Sequence, residues 1–301
     1  MATATKKPTA KKKAATKKPA TTKKAGEGAL KKKTTAPYEP VEAIIVPELS
    51  VDQFKVRISS IGMRTFGCCQ MTQKAINQLE DKHDGKKVKA TDREPKDQYK
   101  EFKDCGYWLT DNKSGKITNL CATAIMLKRA SVDACRHIDD KNLTLIATRS
   151  WFFIYGCDQR NLELVPLTSE GPVPESLKTK MDYRFTGELK DQGDSSMWVD
   201  RKDEVNGFKT RIEEMKYLNS MGISMRQDAV SPNMGGKDLR YRPVIHNWSA
   251  EFMVSFNKRI ISAQALVNLI SIAGFHNGIG EWRPSSPKAS GMWGQFEVAR
   301  D

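Results

Sequence analysis

The sequence predicts an α+β fold built on an antiparallel sheet and preceded by a disordered basic tail. Three observations carry this. Apolar and polar residues alternate over Phe54–Ile61 and again over Ser249–Asn257, the period-two pattern of strands covered on one face. A helical apolar pattern over Ala263–Ala273 lies between the second of these and a short alternation at Gln295–Ala299, which gives a β-α-β order. Residues 1–38, by contrast, hold twelve lysines against the single acid Glu27.

That first segment, Met1 to about Pro40, is built from lysine doublets and triplets separated by Ala, Thr and Pro: Lys6 and Lys7, Lys11, Lys12 and Lys13, Lys17 and Lys18, Lys23 and Lys24, and Lys31, Lys32 and Lys33. It has almost nothing apolar to offset an ordering cost of about 1–2 kcal/mol per residue, so it is predicted to be disordered. Of the net charge of +14 carried by 301 residues, about +11 lies in residues 1–38. Such a run binds polyanions by releasing condensed counterions, without reading sequence; it also suits a solubility tail or an acidic protein surface. A folded domain is expected over 41–301. With 39% hydrophobic residues it can bury a sizeable core.

Six cysteines (Cys68, Cys69, Cys105, Cys121, Cys135, Cys157) show no C-x-x-C pair and no nearby histidine spacing, and read as reduced, buried thiols. No apolar run approaches the ~20 residues of a membrane span, and the N-terminus has neither a signal peptide's apolar stretch nor a transit peptide's arginines. The chain is therefore expected to act in the cell interior, with no membrane partner.

Within the domain, Phe54, Val56 and Ile58 give the first strand an apolar face, and Lys55, Arg57 and Ser59 make its other face basic and polar. Residues 80–104 are charged and poor in aliphatics and read as a long loop or insertion. Thr118–His137 reads as a helix, with Cys121, Ile125, Val132 and Cys135 at helical spacing. Leu143–Ile146 and the aromatic run Ser150–Tyr155 read as strands. Segment 166–240, rich in Gly, Pro and charge, reads as an extended excursion with one helix near Phe208–Asn219. Ser262 is the predicted N-cap of the helix over Ala263–Ala273, and Gly274 its stop.

Between that helix and the last strand runs a glycine-punctuated loop. Its glycines, Gly278, Gly280, Gly291 and Gly294, are expected to leave backbone N–H groups open to a sugar-phosphate backbone. Arg283 and Lys288 supply charge, and Trp282 and Trp293 supply faces for base stacking or for anchoring the loop. The glycines follow the helix and precede the strand, opposite to the order of a dinucleotide fingerprint.

The stretch Gly278-Ile279-Gly280-Glu281-Trp282-Arg283-Pro284, followed by Gly291-Met292-Trp293-Gly294-Gln295-Phe296-Glu297-Val298, resembles the C-terminal glycine-rich loop and last strand of the RAMP superfamily of CRISPR-associated proteins. The likeness is specifically to its Cas7-like members, which include proteins encoded in phage genomes. Cys121–Arg136 is similar to a family helix, and Arg240-Tyr241-Arg242-Pro243 fits upstream of the last β-α-β unit. The entry Lys116-Ile117-Thr118-Asn119 departs from the family by lacking its proline. The resemblance covers about two thirds of the folded part, loosely outside its last sixty residues. It implies a modified ferredoxin-like, RRM-like fold that holds single-stranded RNA along its backbone and polymerises on it, in a bacterial cell interior.

The first functional expectation is therefore a binding protein rather than an enzyme, sequence-tolerant, taking single-stranded RNA or DNA and forming homo-oligomers on it. Its contacts are expected from Arg283, Arg240, Arg242 and the loop, and from Lys128, Arg129 and Arg136, which read equally as the solvated face of one helix. The second is a metal-independent endoribonuclease centred on His276, since some relatives use a histidine as general acid or base; a structural histidine is the plainer reading. The third is a phage virion or assembly protein whose tail packs nucleic acid. His83, His137 and His246 show no ligand spacing, and no Walker, nucleophile-elbow or deaminase motif is present, so neither metal nor cofactor is expected.

Overall fold

The computed structural model describes residues 49–62, 65–85, 96–141, 143–156, 161–185, 207–230, 238–287 and 290–299. The lysine tail, Cys157 and Lys288 lie outside these residues. In chain order the described elements begin with strands β1 (Val51–Ser60) and β2 (Thr65–Gly67), helices α1 (Gln73–His83) and α2 (Gln98–Cys105), and strands β3 (Trp108–Thr110) and β4 (Ile117–Thr123). There follow α3 (Ala124–Asp133), α4 (Leu145–Thr148), β5 (Phe152–Gly156), β6 (Leu164–Ser169), α5 (Lys180–Phe185) and α6 (Arg211–Ser220). The chain then forms β7 (Ile223–Val230), β8 (Asp238–His246), β9 (Trp248–Asn257), α7 (Ala263–His276) and β10 (Phe296–Val298).

The fold is α+β, and every described strand pairing is antiparallel. The main sheet has the order β10-β1-β9-β6-β4-β3, with β5 also paired to β9. β1 lies between β9, in the register Val51↔Asn257 to Ser59↔Ser249, and β10, in the register Ile58↔Val298. β9 and β10 therefore run parallel with β1 between them, and α7 makes the crossover. A smaller sheet runs β2-β8-β7.

The alternation read in β1 and β9 decides which face is covered. Val56, Ile58, Phe252, Val254 and Phe256 are buried. With them are buried Leu127 of α3, Leu266, Leu269 and Ile270 of α7, and Phe296 of β10. Each such side chain contributes roughly 1.5–3 kcal/mol by leaving water. α3 packs on α7, and α7 on β10. The predicted strands at 54–61, 150–155, 249–257 and 295–299 and the helix near 208–219 are present as β1, β5, β9, β10 and α6. Ser262 caps α7 as expected, its hydroxyl accepting from the Ala265 amide at 3.2 Å.

Five readings need correction. The predicted helix 118–137 is a strand up to Thr123 and a helix only from Ala124, ending in a 3-10 turn at Ala134–His137. β4 lies between β3 and β6 with Ile117, Leu120, Cys121 and Ala122 buried, so no polar-apolar alternation marks it. Leu143–Ile146 is not a strand. Thr144 Oγ1 accepts from the Ala147 amide at 3.3 Å and starts the single turn of α4.

The loop read at 80–104 contains the end of α1 and most of α2. Asp97 caps α2, Tyr99, Phe102 and Cys105 form its buried face, and Arg211 of α6 donates to both Asp97 oxygens at 3.0 and 2.9 Å. The described part of segment 166–240 is not an excursion: β6 is in the main sheet, β7 and β8 form most of the smaller one, and α5 packs on α6 and β7, while residues 186–206 and 231–237 lie outside the described residues. Gly274 does not end α7. A Cβ there would lie 1.9 Å from the Phe296 carbonyl oxygen, so its role is close packing of helix on strand. The helix stops at Asn277, after which Gly278 turns at φ +63°.

Candidate nucleic-acid interface

The C-terminal loop is docked on the β2-β8-β7 sheet. The Glu281 amide donates to the Gly67 carbonyl and the Gly294 amide to the Thr65 carbonyl, each at 2.8 Å, which ties both limbs of the loop to β2. Gly294 sits at φ +65°, and a Cβ there would lie 1.8 Å from the Ile279 oxygen; only glycine lets the limbs meet. The amides of Gly278, Gly291 and Trp293 donate to Ala273, Arg283 and Trp282 carbonyls at 2.9, 3.4 and 3.2 Å. This corrects the expectation of open amides for Gly278, Gly291 and Gly294: the close approach these glycines permit is of the chain to itself.

β7 and β8 present Arg226 opposite Arg242 and Asp228 opposite Arg240. Arg242 Nη1 donates to Glu281 Oε1 at 2.7 Å, and Arg226 Nη2 reaches Glu281 Oε2 at 3.4 Å while Arg226 also pairs with Asp228. The side chains of Arg226 and Arg242 are 12% and 13% exposed. Burial works against the Arg242 charge, but Glu281, the Cys69 sulfur and Asp228 outweigh it, so its pKa is raised. The Arg226 guanidinium lies 4.4 Å from the Trp293 ring centre and 5.7 Å from that of Trp282, and the two rings are 6.3 Å apart. Trp293 is half-buried; Trp282, at φ +54°, is the more open.

Arg283 is engaged within the loop, Nη1 donating to the Gly280 carbonyl at 2.8 Å and Nε to Ser285 Oγ at 3.2 Å. Arg240 reaches Asp238 at 3.6 Å. Lys128 lies against the exposed Phe153 ring at 4.0 Å, and desolvation there lowers its pKa. Arg129 and Arg136 are exposed on α3 and the turn after it. The structure thus gathers Arg242, Gly280, Trp282, Arg283, Trp293 and Gly294 at one place and leaves Lys128, Arg129 and Arg136 on the helical side.

Two features were not singled out from the sequence. One is the part of the main sheet's other face that the described residues leave open, opposite α3 and α7 at β1, β9 and β6. There Lys55 and Arg57 extend from β1 with side chains 58% and 62% exposed and meet Glu251 of β9 at 3.3 and 2.6 Å. Both cations lower the Glu251 pKa through hydrogen bonds, Arg57 most. Beside them a shallow cleft of about 570 Å³ is lined by Ser59, Thr168, Glu170, Ser249 and the Arg57–Glu251 pair. The other is a partner for His276. His137 stacks on it with ring centres 4.5 Å apart, and Asn277 Oδ1 lies 3.2 Å from His137 Nε2. Asn277 is itself fixed by donating to the Ala130 carbonyl at 2.8 Å.

Among the described residues, no group of three or more His, Cys, Asp or Glu side chains could hold a metal ion, and no helix is long and apolar enough to cross a membrane. No protein-family model matches the chain, and no curated protein matches it.

Proposed function

We propose that the chain binds single-stranded nucleic acid, RNA ahead of DNA, across the uncovered face of a ferredoxin-like, Cas7-like domain. The observation that carries this reading is the face itself: two well-exposed cations beside a shallow cleft, with the packing helices on the opposite side. A backbone phosphodiester presents one negative charge on two non-bridging oxygens, the same fork that Glu251 offers Arg57, so it can take that carboxylate's place. β1, α3, β5, β9, α7 and β10 follow one another in the β-α-β-β-α-β order of ferredoxin-like domains, and their strand adjacency supports that assignment.

The Arg226–Trp282–Trp293 stack gives the loop an aromatic and cationic edge to which a base could be added. Contacts of this kind go to backbone and to base faces, so binding is sequence-tolerant. The lysine tail adds affinity that falls steeply with salt. Copies then line up along one strand as homo-oligomers.

The test is fluorescence anisotropy with labelled ~30-nucleotide single-stranded RNA, single-stranded DNA and duplex DNA, long enough for several sites. Full-length protein and protein lacking residues 1–38 are compared. Retained preference for single strands without the tail supports the reading. Loss of all binding with the tail overturns it and leaves a polyanion-binding arm on a domain with another task.

The stacked His137–His276 pair favours a second reading, metal-independent RNA cleavage, because it supplies two imidazoles where one acid and one base are needed. Cleavage lost in His276→Ala and in His137→Ala with RNA binding retained would establish it. Absence of cleavage by the unaltered protein would dismiss it.

A further inference from the structure

The segment following β2 crosses the C-terminal end of α2. The Gln70 amide donates to the Cys105 carbonyl at 2.9 Å, and the Gln70 side-chain amide to the Gly106 carbonyl at 2.8 Å. These bonds hold the two segments in register, and the cysteines beside them meet: Cys69 Sγ lies 3.4 Å from Cys105 Sγ. A disulfide is about 2.05 Å long, so closure needs a sulfur movement of roughly 1.4 Å, within reach of side-chain rotation. Cys69 is half-buried and Cys105 fully buried, which makes one approachable thiol backed by one sheltered thiol.

The surroundings divide the labour. The facing Cys105 thiol, opposed by burial and aided by Arg242 and Arg240, brings the Cys69 pKa down to about 7. The bond to Cys69 and burial push Cys105 up. The neighbouring Cys68 is buried and its thiol is pushed up to about 12, chiefly by desolvation. Cys121 and Cys135 are buried.

We propose that Cys69 and Cys105 form a redox pair, a modification site that takes a hydroperoxide and closes to a disulfide. The Cys69 thiolate attacks a peroxide oxygen; an S–O bond forms, the O–O bond breaks, and the other oxygen leaves as an alcohol or water after taking a proton. The Cys105 sulfur then attacks Cys69; the S–S bond forms, the S–O bond breaks, and water leaves with the Cys105 proton. Two thiols are oxidised and one hydroperoxide is reduced. Closure ties β2's exit to α2 and removes the anionic sulfur facing Arg242.

The test uses reduced full-length protein, treated with hydrogen peroxide, unfolded, alkylated and peptide-mapped. Of the six cysteines, two should be lost as free thiols and recovered with dithiothreitol, and the linked peptides should be those of Cys69 and Cys105. Cys69→Ser should keep every remaining thiol under the same dose. All six thiols surviving, or a linkage between any other pair, would overturn the proposal, as would thiol loss in Cys69→Ser equal to that of the unaltered protein.

Discussion

Replacing Lys55 and Arg57 together by alanine tests the uncovered sheet face quantitatively. Each side chain is more than half exposed and among the described residues pairs with Glu251 alone, so each can reach one phosphate. Binding to single strands falls with salt at a slope of about 0.7 log units per phosphate neutralised, so losing two contacts should flatten the slope by about 1.4. Where the contacts are wholly electrostatic, the two lines converge near molar salt. The variant should then bind about 60-fold more weakly at roughly 50 mM salt and about 10-fold more weakly at roughly 200 mM. Anisotropy titrations across that range, on protein with its tail intact, read both numbers because the tail's contribution is common to both proteins. Fold stability should change little, since exposed ion pairs contribute about 0–1 kcal/mol. Parallel lines for the two proteins would refute the reasoning and move the binding surface elsewhere. Glu251→Gln is the counterpart: removing the carboxylate that occupies both cations should tighten binding severalfold.

Glu281→Gln should cost about 2–4 kcal/mol in urea unfolding, because it leaves Arg226 and Arg242 mostly buried with one carboxylate fewer; a change below about 0.5 kcal/mol would mean the cluster behaves as a surface pair. Gly294→Ala should lose about 2 kcal/mol or more and detach the loop, reported by the fluorescence of Trp282 and Trp293, because its Cβ meets the Ile279 oxygen at a positive φ. His246 is buried between Thr65 and Ser224 hydroxyls at 3.1 and 2.9 Å, and burial lowers its pKa to about 4. The unfolded chain takes up that proton nearer pH 6.5, so stability is full above pH 6.5 and declines as the pH falls towards 4, by about 3 kcal/mol in all. His246→Asn should flatten that part of the stability profile; an unchanged profile would assign the acid sensitivity to other groups.

How much of this was readable depended on whether a residue's surroundings are local. β9, α7 and β10 could be read because each states its own rule: alternation, a serine cap, an apolar stripe. β4 could not, since both its faces are covered and Cys121 and Ile125 happen to stand four apart as a helix would place them. α2 was hidden because its buried face is Tyr99, Phe102 and Cys105 rather than aliphatic, and its cap is held by Arg211, more than a hundred residues away. Within the loop, the glycines and tryptophans were evident, but what they serve was not. The Glu281 partners lie on β7 and β8, and the only local trace is the i, i+2 spacing of Arg226 with Asp228 and of Arg240 with Arg242. The basic face of β1 was visible from the start as Lys55 and Arg57; that it stays uncovered depends on both helices choosing the other side. His137 and His276 are brought together only by α3 packing on α7.

The strands that end the main sheet's order, β10 and β3, are three residues each. At β10 and β3 themselves a second copy finds few unpaired backbone groups to zip onto, although β1 runs on from Val51 to Val56 beyond the three residues that β10 pairs. A row of these molecules on one nucleic-acid strand would therefore not be joined through β10 or β3, and the strand it coats would set the row's length.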